Sequence, residues 1–411
     1  GIGFAVPLAL AKPRLARLQR GEDIRRGLAG LAFIDGADHA TKPVLLTLHP
    51  GGPADRAGLK AEDMLLTVNG QAVETVAAYR FAAHALDDGE QMTVTVRRGD
   101  EELSAELTLA PELSAYRHPY LGLAMAPPTV GEGEPRPGVL IRAAFEGSPA
   151  AKAGVVAGDR LIEIGGEAIT SRDEAMNALA KATIGETLVI KIARGRDTLT
   201  LSPILAPLDY SAALDADVLS ALGEVSEVEV EELAVAGTKR VARVTAPKEP
   251  EPTRPLIITL TDRDGPSSAE PLAKSGVLVA ELAVEQQDSS LEAEKVAVLA
   301  VLESLASRPG VDPRRVALAG YGRTSPLALA LAIELRDRFA GVVIDRWPGR
   351  PARVPANRPG DRLGVLVRDR APRGKAAAEQ IESRGYPTRL DDADKPSPRE
   401  LASWLRGLDR F

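Results

Sequence analysis

No cysteine occurs in the 411 residues. Disulfides, thiolate catalysis and cysteine-ligated metals are therefore excluded, while an oxidising compartment stays permitted. Histidine is nearly as scarce: His39, His49, His84 and His118 are the only ones, so the chain beyond position 118 has no imidazole base. No apolar run approaches the length that spans a bilayer. No basic stripe stands out in a chain of net charge −7, so neither a membrane span nor a nucleic-acid partner is expected. Acid pairs such as Asp87-Asp88 and Asp391-Asp392 lack the spaced oxygen ligands of a calcium loop. They read as solvated turns, and neither metal nor cofactor is expected.

What is present suits a soluble globular chain, with 44% hydrophobic and 27% charged residues. The length predicts about two to four domains. The strongest pattern is a repeat. Pro53-Ala54-Asp55-Arg56-Ala57-Gly58, then Asp63, then Asn69-Gly70, returns as Pro149-Ala150-Ala151-Lys152-Ala153-Gly154, then Asp159, then Gly165-Gly166. The offset is 96 residues (149 − 53, 166 − 70), and a spacing held that well predicts a duplicated domain. Each copy reads as one helical turn closed by glycine, a turn bearing the aspartate, and a strand over Met64–Val68 or Arg160–Ile164. A hairpin dipeptide follows, then an amphipathic helix (Val76–Leu86, Arg172–Lys181) and a closing strand (Met92–Arg97, Thr187–Ile192). This order and wording resemble a PDZ domain of the bacterial type, a small α+β fold built on a partly open β-barrel.

Ahead of the first copy stand Gly1-Ile2-Gly3-Phe4-Ala5-Val6-Pro7, a helix over Leu8–Leu18 that Pro13 interrupts, and Arg26-Gly27-Leu28-Ala29-Gly30-Leu31. Together they resemble the junction in the Htr/Deg family of serine proteases, where the last protease strand leads through a helix into the first PDZ domain. The resemblance implies that 1–25 is the end of a trypsin-like domain and linker helix, with the catalytic triad upstream of residue 1. It sets the PDZ domains at 26–111 and 118–207. Their carboxylate-binding loops would be Leu28-Ala29-Gly30-Leu31 and Tyr120-Leu121-Gly122-Leu123. In such loops a glycine turns backbone amides toward an anion while apolar neighbours line a side-chain pocket. Ala29 stands where a larger apolar residue is usual, so the second copy is the favoured peptide site. Residues 127–137, rich in Pro, Gly and Glu, read as a loop.

After Pro207 the pattern changes. An alternating pair, Glu227–Leu233 and Arg240–Val244, predicts a hairpin. Past a proline-rich connection at 247–255, apolar runs at Leu256–Leu260, Val277–Ala280, Val316–Ala319, Val342–Ile344 and Leu363–Val367 predict strands. Helices are predicted at Leu291–Ser307, Pro326–Arg338, Gly374–Arg384 and Pro398–Leu408. Strands continuously apolar and alternating with helices predict a mostly parallel sheet covered on both faces, an α/β domain over 208–411. The hairpin entry, and Val311-Asp312-Pro313-Arg314-Arg315-Val316 before a central strand, resemble α/β-hydrolases of the prolyl-oligopeptidase or dienelactone-hydrolase kind. Those enzymes need a Gly-x-Ser-x-Gly elbow. Here it reads Gly320-Tyr321-Gly322-Arg323-Thr324. Gly322 holds the nucleophile's place and has no side chain to attack with. Ser325 falls three residues beyond, where capping suits it. The histidine's place is taken by Asp391-Asp392-Ala393-Asp394-Lys395, and an oxyanion-hole His-Gly is replaced by Thr261-Asp262, the wrong charge for a developing anion. Asp369, near the family's acid position, reads as a surface carboxylate or cap.

No catalytic residue is therefore expected in the chain itself. The expected function is the non-catalytic, peptide-binding region of an Htr/Deg-like protease, capturing peptide or protein C-termini and unfolded segments by strand addition. The resemblance further implies a periplasmic or cell-envelope setting, with the cytoplasm left open, and homo-oligomers assembled through the missing protease domain. One alternative is an active hydrolase with a non-standard nucleophile to which the PDZ pair recruits substrate. Another is a purely structural role, with both grooves blocked by their own chain.

Overall fold

Met92, Val94 and Val96 bury one face of a strand by simple alternation, and Ile190 and Ile192 do the same in a second copy. In the computed structural model these strands centre two small sheets. The structure describes residues 8–34, 38–126, 137–210, 227–248, 253–262, 269–284, 290–349, 354–359, 362–393 and 397–410. Expectations placed on residues 1–7, 127–136, 249–252 and 394–395 lie outside these. The described residues divide into two compact units, 1–116 with 358–360, and 117–357 with 361–411.

The first unit opens with α1 (Leu8–Gln19). The helix runs through position 13 without interruption, contrary to expectation, losing only the amide bond that a proline cannot donate. Next come β1 (Leu31–Phe33), β2 (Leu45–Leu48), α2 (Pro53–Arg56), β3 (Met64–Val68), β4 (Gln71–Ala72), α3 (Val76–His84), β5 (Gln91–Arg98) and β6 (Glu101–Thr108). The strands pair as β4-β3-β5-β6 and β1-β2, with a single bridge, Val44 to Met64, linking the two sets. Asn69 and Gly70 both take positive φ (48° and 77°), the left-handed pair that a tight hairpin between β3 and β4 requires. Asp87 and Asp88 are not a plain solvated turn. Arg14 of α1 reaches the Asp87 carboxylate at 2.5 and 2.9 Å, and Arg17 reaches that of Asp88 at 3.0 and 3.1 Å. The pair thus clamps α1 to the domain.

The second unit begins with a copy of the same scaffold: β7 (Pro119–Tyr120), β8 (Leu123–Met125), β9 (Val139–Ala144), α4 (Pro149–Lys152), β10 (Arg160–Ile164), β11 (Glu167–Ala168), α5 (Arg172–Ala180), β12 (Ile190–Arg194), β13 (Asp197–Leu201) and β14 (Ala206–Pro207). Its sheet runs β13-β12-β10-β9-β8, with β11 beside β10. The closing strand starts at Ile190 instead of Thr187, which makes only an isolated bridge to Ile204. A capping box between Ser171 and Glu174 starts α5.

The chain continues through β15 (Val228–Ala234), β16 (Val241–Pro247), β17 (Arg254–Thr261), α6 (Ala269–Ala273), β18 (Leu278–Ala283), α7 (Leu291–Ala306), β19 (Val311–Tyr321), α8 (Ser325–Glu334), β20 (Gly341–Asp345), β21 (Gly364–Arg368), α9 (Pro372–Ser383), β22 (Thr388–Asp391) and α10 (Pro398–Arg406). The sheet order is β15-β16-β18-β17-β19-β20-β21-β22. β15 and β16 form the expected antiparallel hairpin, and β17 through β22 run parallel. Side chains of β17 divide between two cores: Leu256, Ile258 and Leu260 face α7, α8 and α9, while Ile257 faces α6 and α10. Burial on both faces is why these strands read as unbroken apolar runs. β22, with half-buried Thr388, Arg389, Leu390 and Asp391 at the sheet edge, gave no such run and was not anticipated.

Trp404 of α10 is 1% exposed and lies against Gly341 of β20, where a Cβ would sit 2.7 Å from its ring. Trp404→Ala is expected to destabilise the second unit by about 3–5 kcal/mol, read as a lower denaturant midpoint for that transition.

Candidate functional site

The two loops expected to hold a carboxylate occupy equivalent places. Ala54 N–H donates to the Ala29 carbonyl (3.0 Å) and His49 N–H to that of Gly30 (2.8 Å). Ala150 N–H donates to Leu121 (2.8 Å) and Phe145 N–H to Gly122 (2.9 Å) in the same way. Both glycines are left-handed, at φ 80° and 89°. A Cβ on Gly122 would lie 2.1 Å from the Ser148 Cβ, so no other residue fits there.

Each scaffold is locked by a buried carboxylate. Asp63 accepts from the Lys60 amide (2.8 Å) and from Arg98 Nε and Nη2 (2.7 and 2.8 Å), and Arg98 also reaches the Gly58 carbonyl at 3.0 Å. Asp159 repeats this with the Val156 amide, Arg194 and the Gly154 carbonyl, at 2.9, 2.7, 2.8 and 2.7 Å. Burial pushes both carboxyls up, but the arginine and amide hydrogen bonds outweigh it and hold each below its ordinary value. The sequence reading placed the aspartates but missed Arg98 and Arg194. Their shared 96-residue offset (194 − 98) was the signal that could have found them.

Around the first loop Ala29 is buried, while Leu28, Gly30 and Leu31 are half-buried. β1 pairs only with β2 among the described residues, leaving its other edge without a strand partner. Phe33 of β1 meets Tyr79 of α3 with ring centroids 4.8 Å apart, which joins strand to helix at the far end of this groove. Ala77 and Val76 amides donate to Asp38 and Thr41 carbonyls, so the connection after β1 covers the start of α3.

The second loop is different. Tyr120 is 3% exposed, and Leu121, Leu123, Ala124 and Met125 are 0% exposed, although β8 is an edge strand. Tyr120 belongs to the core formed by Leu208, Tyr210, Trp404 and Leu408. A cleft of about 650 Å³ opens beside it, lined by Arg117, Tyr120, Ser148, Leu208, Tyr386 and Thr388 among others.

At the carboxyl ends of the parallel strands the segment expected to form an elbow turns sharply. Gly322, after β19, has φ 55°, and a Cβ there would meet nothing within 4 Å. A Cβ on Gly320 would lie 2.5 Å from the Thr324 carbonyl. The Thr324 hydroxyl donates to the Leu260 carbonyl (2.7 Å) and accepts from the Tyr321 amide (2.8 Å). Ser325 is 0% exposed, with its hydroxyl 2.9 Å from the Gly320 and 2.8 Å from the Asp345 carbonyl. It therefore ties strand ends together instead of capping helix amides. Asp369 accepts from the Trp347 and Ala371 amides, both at 2.9 Å. Tyr321, Asp345, Arg368 and Asp391 stand level on neighbouring strands. Arg368 lies 3.5 Å from both carboxylates. Burial pushes the Asp345 carboxyl above its ordinary value, and Arg368 and Arg346 only partly offset this.

Two family models described as PDZ domain match, at residues 45–98 and 119–204. A probable periplasmic serine endoprotease, DegP-like, from Chlamydia trachomatis is 27% identical over 213 residues, covering 47% of this chain and 43% of that protein. The periplasmic pH-dependent serine endoprotease DegQ of Escherichia coli is 26% identical over 215 residues, covering 49% and 47%. The chain thus spans under half the length of these relatives. Among solved structures, a dienelactone hydrolase-like promiscuous phosphotriesterase, P91, from metagenomic libraries covers 40% of this chain and 80% of its own. It is 17% identical with a TM-score of 0.32, too low to establish a common fold.

Arg98→Ala is expected to lower the thermal midpoint of the first unit at pH 7. The Asp63 carboxyl is depressed, so its stabilisation is full above the unfolded value of about 4 and fades as pH falls through the folded value. The gap between wild type and variant should therefore narrow in acid, read by melting curves from neutral to about pH 3. Gly322→Ser, which has room for its side chain, is expected to yield no esterase turnover, because no histidine follows His118. The chain carries two PDZ domains, and about half of it is homologous to DegP- and DegQ-like serine endoproteases.

Proposed function

We propose that this chain is the non-catalytic, peptide-binding region of a Deg/Htr-type serine protease. Its PDZ grooves take C-terminal or extended peptide segments by strand addition, and peptide recognition falls first to the first copy. One observation carries the assignment to that copy: the Leu28–Leu31 loop is held by the scaffold through Ala29 and Gly30, yet Leu28, Gly30 and Leu31 stay half-buried beside a strand edge with no strand partner among the described residues. This reverses the preference drawn from sequence, where Ala29 counted against the first copy. A small residue at 29 is consistent with its place, 6% exposed in the domain core with Leu45 and Ala54. The partners are peptide or protein C-termini and unfolded segments. Homo-oligomers would assemble through a protease domain, and the periplasmic names of the relatives support an envelope setting.

The α/β domain, hydrolase-like in strand order, acts as a scaffold. A glycine at the nucleophile's place and a buried, carbonyl-bonded Ser325 support that reading over an active hydrolase. Nitrophenyl-ester turnover abolished by Ser325→Ala would overturn it.

Fluorescent peptides with a free C-terminal carboxylate, titrated into the full chain, test the peptide assignment. Amidating the terminus and Leu31→Asp are each expected to weaken binding at least about tenfold, about 1.4 kcal/mol. Absence of saturable binding up to millimolar peptide, or indifference to both changes, would reject it.

A further inference from the structure

The second PDZ domain and the α/β domain belong to one compact unit, and residues of β9, of the turn after it and of the start of α5 are already engaged by the end of the α/β domain. On the strand side, the Arg410 guanidinium lies over the Phe145 ring at 4.0 Å and over Tyr210 at 4.7 Å. Phe145 is the residue whose amide holds the carboxylate loop. Arg142 of β9 donates to the Asp409 carboxylate at 3.0 Å and to the Arg406 carbonyl at 3.2 Å. On the helix side, Arg172 at the start of α5 donates to the Asp409 carbonyl at 3.3 Å. Asp409 is 1% exposed and also takes a 2.9 Å bond from Arg315 of β19, so one carboxylate joins a PDZ strand to the central strand of the large sheet. The cleft beside Tyr120 is not lined by residues 121–125.

From these contacts we infer that Gly407–Arg410 is an internal ligand of the second PDZ domain. It occupies the interaction surface that the first copy leaves open, and external peptides reach Leu121–Met125 only when it lets go. Leu121, Leu123 and Met125 pack into the domain's own core. Yet β8 is 0% exposed at all three of its residues although it has no second strand partner among the described residues, and an edge of that kind offers its backbone groups to the next segment that meets it. The occupant's chemistry fits. An aspartate is clasped by two arginines, and an arginine is sandwiched by two rings, all in one short segment. The inference builds on the peptide-binding reading for what release would do, but the occlusion itself is measurable without any peptide.

The experiment uses the full chain and its D409A/R410A variant, with two readouts. By hydrogen exchange, amides of 123–125 in wild type are expected to exchange at least about tenfold more slowly than those of 31–33, and in the variant to lose that excess while 160–164 stay protected. By calorimetric titration with a free-carboxylate peptide, wild type is expected to show one site and the variant two. Equal exchange at the two edge strands in wild type, or two sites in wild type, overturns the inference. So does a variant that keeps 160–164 protected while 123–125 remain slow. If no peptide binds either protein, the peptide-binding reading fails, and the exchange comparison still decides the occlusion. If the variant unfolds, the wild-type exchange ratio decides it alone.

Discussion

Asp409 is a carboxylate almost out of reach of water, with Arg142 on one side and Arg315 on the other. Neither charge sign is tolerable alone at that depth, and removing one partner of such a group is far more costly than the pair's net worth. The arrangement therefore persists only while β9 of the PDZ domain and β19 of the large sheet stay side by side. Arg410, laid between Phe145 and Tyr210, extends the same joint. The architecture of the second unit depends on this polar seam as much as on its apolar cores.

The same chemistry serves the scaffolds at smaller scale. Asp63 with Arg98, and Asp159 with Arg194, fasten the turn after the short helix to the closing strand in both copies. In each, burial alone would favour the neutral acid, and the bidentate arginine reverses that. The copies thus share a lock but not an exposure. The first keeps Leu28, Gly30 and Leu31 half-buried, while in the second Tyr120 packs with Leu208, Tyr210 and Trp404, and Leu121 and Leu123 lie in the domain's own core. The two copies share a scaffold but differ in accessible surface.

The turn after β19 is fastened by hydroxyl groups bonded to strand carbonyls. Gly322 retains the left-handed backbone, and Thr324 and Ser325 spend their hydroxyls on carbonyls of neighbouring strands. Beyond it, Asp345, Arg368 and Asp391 form a level row of opposite charges across three strands. The side chains at this edge now bond to the fold itself.

The features legible in the residues alone were local and periodic. The paired Pro-Ala-x-x-Ala-Gly turns, Asn69-Gly70 and Gly165-Gly166, and the apolar runs of the parallel strands each carry their conformation within a few residues, and β3 and β10 began and ended where expected. The absence of histidine beyond position 118 was equally legible, because composition needs no coordinates. What those elements touch is set by long-range packing. Arg14 and Arg17 find Asp87 and Asp88 some seventy residues away, and β22 is a strand because β21 offers it an edge, not because its residues are apolar. Leu121 and Leu123 are buried by the core of their own domain, whereas Tyr120 is covered by Leu208, Tyr210, Trp404 and Leu408, some of them almost three hundred residues further along the chain.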